Sequence, residues 1–355
     1  MQSAPASINS LVIDYPKEVN EVRNVTIKDI ARLSGVSVAT VSRVINNNGR
    51  FSEETRQKVL QVIEETGYQM NFSAKSLRMN RSFTIGILVP DISNYFFADV
   101  VQQIEEKFFE LGYSTIICNT ARNSDKEQKY LTILESKSVD GIIVISGASE
   151  EGIEFNFEKT IPYICIDRKP KDEKNTLFIS SNHYQGGFIA TEKLIELGSK
   201  QPVIVLHQLL TSSSKERAKG FVDAMKKNSL YFDETVNQLI LGTEQDDITQ
   251  QVTDFLTKHP ETDSFFTTND ILALKILKIV KTLGINIPAS LKVIGFDDVP
   301  SSQYSTPTLS SIRQNTEEIA RVATKSLLAF IDGDDKQQGK QILIPVELVS
   351  RESIE

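Results

Sequence analysis

A chain of 355 residues with 40% hydrophobic and 24% charged residues is long enough for two or three buried cores, and its mixed composition excludes fibrous and disordered classes. No run of about eighteen apolar residues offers a membrane span, and the first two dozen residues lack the basic and apolar regions of a secretory signal, so the sequence predicts a cytoplasmic protein. The net charge of −8 excludes a nucleic-acid partner only if charge is even along the chain. From Val25 to Ser82 nine basic residues stand against five acidic ones, leaving +4 on a basic module attached to an acidic remainder.

Residues 1–24 are polar and aperiodic and are expected to form a disordered leader. Residues 26–46, TIKDIARLSGVSVATVSRVIN, carry the spacing of a helix-turn-helix. Two helices crossing at a wide angle need a small residue at the crossing, a residue tolerant of positive φ in the turn, and an apolar residue closing the small core. Ala31, Gly35 and Val41 fill those places. Thr26 with Asp29 resembles a capping box, and Ser37 stands where an N-cap belongs. Ile27, Ile30, Leu33, Val36, Val41, Val44 and Ile45 keep helical spacing on one side. Val38, Ala39, Ser42 and Arg43 fall on the other, the face that would read bases. A third helix is expected to begin at Ser52 and run through Val59, Leu60, Val62 and Ile63 to Gly67. The headpiece thus spans 25–70, and the short basic stretch 71–82 reads as a connector.

From Phe83 onward, strand-like runs (TIGILVP, STIICN, GIIVIS, YICID, LFIS, VIVLH, LILG, SFFTT, KVIGF) alternate with amphipathic helices such as 98–112, 126–138 and 186–198. That alternation predicts parallel sheets with crossover helices. Nine strands are too many for one compact open sheet of this length, so two α/β lobes are expected, the first crossing lying near Ser180 to Tyr184. Cys118 and Cys165 sit inside apolar runs and read as reduced core residues.

With these parts in place, the chain from Val25 to Glu355 resembles the lac repressor/gal repressor family of bacterial transcription regulators. The strings that carry the resemblance are VSVATVSRVIN, PDISNYFF, VDGIIV, RAKGF, TND, VIGFDD, PTLSSIRQ and LVSRES, in order; the body strings are similar to those of ribose and sucrose repressors. The resemblance implies an all-α helix-turn-helix headpiece on an α/β body folded like a periplasmic sugar-binding protein. Its two doubly wound lobes would comprise about 83–181 with 313–340, and 182–312 with 341–355.

A helix at Ser37 to Asn46 is sized for the major groove. Val38 and Ala39 suit thymine methyls, Arg43 suits a bidentate contact to guanine, and Thr26, Ser37, Thr40, Ser42 and Asn46 suit phosphates and orientation. By resemblance, Ala74 and Leu77 in NFSAKSLRMN belong to a hinge helix whose leucine, one from each subunit of a dimer, wedges into the minor groove. Met70 stands where the family usually has proline.

Between two α/β lobes, a cleft at the strand ends is the expected ligand site. PDISNYFF supplies Asp91, Asn94, Tyr95, Phe96 and Phe97 there, polar groups and rings of the kind sugars need. By resemblance Arg217, Asn269 and Asp297 complete a polar ring in the second lobe, and Asp167 and Arg168 face it from the first. Glu244 falls where relatives place an aromatic, and Asn315 replaces a common proline.

The implied function is a dimeric repressor of sugar-utilisation genes, released from a pseudo-palindromic operator by a sugar or sugar-phosphate effector. Co-repression, or dependence on a phosphoprotein partner, is the alternative. No phosphate-binding glycine motif, nucleophile elbow or metal spacing is found, and His183, His207 and His259 are scattered; no enzyme activity, cofactor, metal or membrane partner is expected.

Overall fold

The computed structural model describes residues 25–45, 48–68, 81–145, 161–167, 169–170, 172–208, 211–242 and 245–355. The expectations for residues 1–24, Asn46, Met70, Ala74, Leu77, Arg168 and Glu244 lie outside the described residues. The chain divides into two compact units, Met1–Arg78 and Met79–Glu355.

The first unit contains helices α1 (Ile27–Ser34), α2 (Val38–Ile45) and α3 (Glu53–Thr66). Thr26 caps α1 through a full capping box: its side chain accepts from the Asp29 amide, and the Asp29 carboxylate accepts from the Thr26 amide. Gly35 ends α1 at φ 68°, a left-handed conformation that costs glycine nothing and turns the chain into α2. Ser37 accepts from the Thr40 amide at 3.1 Å and so caps α2. Ile30, Ala31, Val41, Val44 and Val59 form the buried core. Leu33, expected inside, is 53% exposed, and Leu60 is 40% exposed: three short helices enclose only a narrow core, and the second rank of apolar positions stays outside it.

In the second unit the elements run β1 (Thr84–Val89), α4 (Tyr95–Glu110), β2 (Ser114–Asn119), α5 (Ser124–Ser136), β3 (Gly141–Ile145), β4 (Tyr163–Ile166) and β5 (Leu177–Ser181). They continue with α6 (His183–Glu196), β6 (Pro202–His207), α7 (Ser212–Lys227), α8 (Glu234–Asn237), β7 (Gln238–Leu241), α9 (Gln245–Lys258), β8 (Ser264–Thr267) and α10 (Asp270–Thr282). Last come β9 (Lys292–Asp297), α11 (Ser301–Tyr304), β10 (Ser310–Gln314), α12 (Thr316–Ile331), β11 (Gln341–Ile344) and β12 (Val346–Val349).

The strands form two six-stranded sheets, ordered β11-β5-β4-β3-β1-β2 and β12-β10-β9-β8-β6-β7. The first is parallel throughout; in the second only the β10–β12 pair is antiparallel. Both reverse direction of winding between their first and third strands, so each lobe has a topological switch point at the carboxyl ends of its strands, where α/β folds bind ligands. Cores lie on both faces of each sheet, as continuous apolar strands require. Cys118 and Cys165 are buried free thiols within the first lobe.

The body begins earlier than Phe83. Asp140 accepts from the amides of Ser82 (2.7 Å) and Phe83 (2.9 Å), and Arg81 pairs with Asp332 just past the end of α12. The chain crosses between lobes at Asn182, at Asn315 and at Pro345. The second and third crossings fall a few residues later than the sequence suggested. β10 holds Arg313 and Gln314 in the second sheet, where Gln314 pairs with Val346, and β11 pairs with β5 in the first. The reason is that β11 and β12 are separated by one residue, so ILIPVELV reads as a single strand. Asn182 donates to the carbonyl of Ile344 at 2.8 Å, holding two crossings side by side. Asn315, in place of proline, caps α12 by accepting from the Glu318 amide at 2.9 Å.

Helices α6 and α7 pack backbone on backbone. A Cβ at Gly187 would lie 2.1 Å from the Arg217 carbonyl oxygen, and one at Gly220 would lie 2.1 Å from that of Tyr184. Neither obstacle is a movable side chain, so Gly187→Ala should force the helices apart and cost about 2–3 kcal/mol. Urea denaturation measures this, and an unchanged midpoint would show that the crossing adapts.

Candidate functional site

On the headpiece, Val38, Ala39 and Arg43 are exposed on α2, while Val41 and Val44 turn inward. The Arg43 side chain runs out past Gly49, with no acidic partner among the described ion pairs. Ser37 and Thr40 are joined to each other at 2.9 Å, which fixes the start of the helix. Thr26 lies at the exposed start of α1, and Ser42 is half-buried.

In the body the carboxyl ends of both sheets bring together much of the polar set. Arg217, on α7, is 6% exposed. Its guanidinium lies over the Phe296 ring with Cζ 3.5 Å from the centroid, a cation–π stack that sets its plane. Nη1 donates to the Thr268 carbonyl. Nε and Nη2 point at His183 Nδ1, at 3.3 and 3.2 Å, and Nη2 stands 3.8 Å from Asp297 Oδ1. On the other side of His183, Nε2 meets Asp167 Oδ1, at the end of β4 in the first lobe. Asp297 Oδ1 also accepts from Gln314 Nε2 at 2.7 Å. A chain of contacts therefore runs Asp167, His183, Arg217, Asp297, Gln314, all of them largely buried.

Asn269 follows β8 and spends its side-chain oxygen on the Leu272 amide at 2.8 Å, capping α10 and leaving its amide nitrogen as the free donor end. Asp91 accepts from Ser93 Oγ (2.6 Å) and the Ser93 amide (3.0 Å), so its carboxylate also shapes the turn after β1. Tyr95 is 46% exposed at the start of α4. Phe96 and Phe97 pack edge to face, 5.3 Å apart, inside the first-lobe core; Phe96 is held by the core and not displayed by the loop. Two site residues escaped the sequence reading. His183 carried no motif, and Gln314 lay in a string noted only for resemblance.

The electrostatics follow from burial. Asp167 and Asp297 adopt positive φ, 61° and 112°, strained for residues with a Cβ and held by their surroundings. Burial pushes the Asp297 carboxyl up to about 8 against the pull of Arg217, whose nearest nitrogen is too far to hydrogen-bond. Asp270 is raised to about 6 by burial, against hydrogen bonds from Ser311, Ser302 and the Val299 amide; it braces the loop after β9. Gln314 Oε1, Asn119 Oδ1 and Ser181 Oγ are buried without a hydrogen-bond partner. Gln314 has given its donor to Asp297, so its oxygen is left to accept from a hydroxyl or amine. Among the described residues no group of His, Cys, Asp and Glu is arranged to hold a metal ion, and no helix is long and apolar enough to cross a membrane.

A helix-turn-helix unit joined to a two-lobed α/β body with a buried polar site defines a DNA-binding regulator governed by a small ligand. The comparisons agree. Residues 26–71 match the lacI family of bacterial regulatory proteins, and 191–354 match a periplasmic binding protein-like domain. The chain is 32% identical over 336 residues to the HTH-type transcriptional repressor PurR of Haemophilus influenzae, covering 93% of this chain and 98% of the relative. It is 33% identical over 331 residues to a ribose operon repressor of Halalkalibacterium halodurans, covering 92% and 96%. The crystal structure of the lac repressor dimer bound to operator and the anti-inducer ONPF superposes with a TM-score of 0.78 at 22% identity, covering 94% of this chain and 99% of that one. The chain belongs to the lacI family of bacterial transcription regulators, and its function is DNA-binding control of transcription.

The buried carboxyls make stability depend on pH with a definite sign. In the fold Asp270 and Asp297 keep protons that the unfolded chain releases near 3.8, so their contribution is full below that value. It is lost as pH rises to about 6 for Asp270 and about 8 for Asp297. Asp297→Asn, which keeps the acceptor for Gln314, should flatten the fall of Tm between pH 6 and 8 and lessen it between 3.8 and 6, where Asp270 alone then contributes. An unchanged upper slope would show that Asp297 is ionised in the free protein.

Proposed function

We propose that the protein is a homodimeric repressor of sugar-utilisation genes, acting in the cytoplasm on a pseudo-palindromic operator and released by a sugar or sugar phosphate. The observation that carries this reading is the polar set gathered from two lobes: a stacked arginine, the buried Asp297 carboxyl, the orphaned Gln314 oxygen and the Asn269 amide from one, and Asp167 from the other. A ligand that satisfies donors and acceptors at once in a dry site carries several hydroxyls. Asp167, Arg217, Asn269 and Asp297 contact it, Asp91, Tyr95 and Arg168 border it, and both lobes hold it in a changed relative angle.

On DNA, α2 lies in the major groove. Val38 and Ala39 meet thymine methyls, Arg43 reads guanine, and Thr26, Ser37, Thr40, Ser42 and Asn46 orient the helix on phosphates. Ala74 and Leu77 engage the minor groove from the connector, one copy per subunit. One headpiece makes few phosphate contacts, so two act together, in keeping with the dimeric lac repressor.

Titration of the protein onto its own upstream DNA, with and without a panel of free and phosphorylated pentoses, hexoses and disaccharides, tests the reading. One sugar is expected to loosen a sequence-specific complex. Sugars that tighten it would make the ligand a co-repressor, and inert sugars with an active phosphorylated phosphocarrier protein would replace the sugar by a protein partner. In the same assay Arg43→Ala should weaken cognate binding about 10- to 100-fold and blur discrimination at one base position. An equal loss on all sequences would reduce Arg43 to a phosphate contact.

A further inference from the structure

His183 is the first residue of α6 and 5% exposed. Both of its ring nitrogens are engaged, and by groups from different lobes. Arginine nitrogens only donate, so Nδ1, which faces Nε and Nη2 of Arg217 at 3.3 and 3.2 Å, accepts. The hydrogen of a neutral ring is then on Nε2 and is given to Asp167 Oδ1. A charged ring would turn an N–H toward a guanidinium.

We infer that His183 is a positioning residue of the effector site: a ring held as the neutral Nε2–H tautomer that ties Asp167 of the first lobe to Arg217 of the second. The charged groups facing it are Asp167 from the end of β4 and Arg217 and Glu216 from α7, while Phe296 on β9 gives it an uncharged wall with ring centroids 5.7 Å apart. Burial lowers its basicity, Asp167 opposes that, and Arg217 reinforces it. A ligand oxygen that takes the Nε and Nη2 edge of Arg217 displaces the ring, and a ligand hydroxyl that takes Asp167 does the same. Occupancy of the site and the tie between lobes are thereby set against each other. That the ring lies in an effector site rests on the function proposed above; the tie itself does not.

Histidine-selective ¹⁵N labelling of the full chain tests the tie without any sugar. Long-range proton–nitrogen spectra report the tautomer of each of the three histidines, and His183→Gln assigns the signal. The expected result is an Nε2–H pattern for His183 that persists as pH falls through the ordinary value of 6.5, and that is lost in Arg217→Lys and in Asp167→Asn. A signal that titrates near the ordinary value of 6.5, or one indifferent to both substitutions, overturns the inference.

The sign also shows in stability. The unfolded chain takes up the proton near 6.5 and the fold resists it, so the contribution is full above that pH and is lost as pH falls below it. His183→Gln, which keeps a donor and an acceptor, should remove this acid-side loss of Tm. An acid limb identical to that of the native chain also overturns the inference. The glutamine variant, unlike an alanine, leaves Asp167 and Arg217 with partners and so keeps the fold available for the measurement.

Discussion

The site depends on how closely two helices approach. At Gly187 and Gly220 the backbones of α6 and α7 touch with no side chain between them. Arg217 is itself one of the contact points, through its carbonyl oxygen, and His183 begins the opposing helix one turn away. With a methyl group at either glycine the helices would separate, and an arginine whose donors reach His183 and the Thr268 carbonyl would reach neither. A packing requirement of the second lobe is thus also the positional requirement of its chemistry.

That closeness explains why the buried charges are tolerable. A guanidinium with 6% exposure is expensive unless its donors are met and its face is covered. Here the Thr268 carbonyl and the His183 ring take donors, and Phe296 covers one face. Burial raises the Asp297 carboxyl, which favours its protonated form. The result is a row of polar groups linked by hydrogen bonds from Asp167 to Arg217 and from Gln314 to Asp297, with Gln314 Oε1 left without a partner.

Local patterns were legible in the sequence and long-range ones were not. The headpiece could be read because capping, turn and core residues all lie within one or two helical turns of each other: Thr26 with Asp29, Gly35, Ser37 with Thr40. The nine strongly apolar runs all became strands. β10, β11 and β12 were harder to see, since SSIRQ and ILIPVELV are mixed or continuous and only sheet register tells where one lobe ends. Leu33 misled because periodicity gives a direction but not the width of the core. Arg217, Asn269, Asp297 and Asp167 were named through resemblance to relatives. His183 had no neighbour in sequence to give it meaning; Asp167 precedes it by 16 residues and Arg217 follows it by 34. The alternation of lobes along the chain is what joins them.

Helix α12 has 16 residues, about 24 Å of rod at 1.5 Å per residue. Asn315 caps its first turn directly after Gln314, the residue that holds Asp297. Asp332 caps the other end and is paired with Arg81, where the chain enters the body. The rod lies in the first lobe while Gln314 is stitched into the second, so its near end is a pivot and its far end is the tip of an arm. A tilt of about 10° at Asn315 carries that tip through about 4 Å, roughly the spacing between neighbouring Cα atoms. Arg81 is paired with that tip, so any rotation of the first lobe about Asn315 would be largest where the chain enters the body.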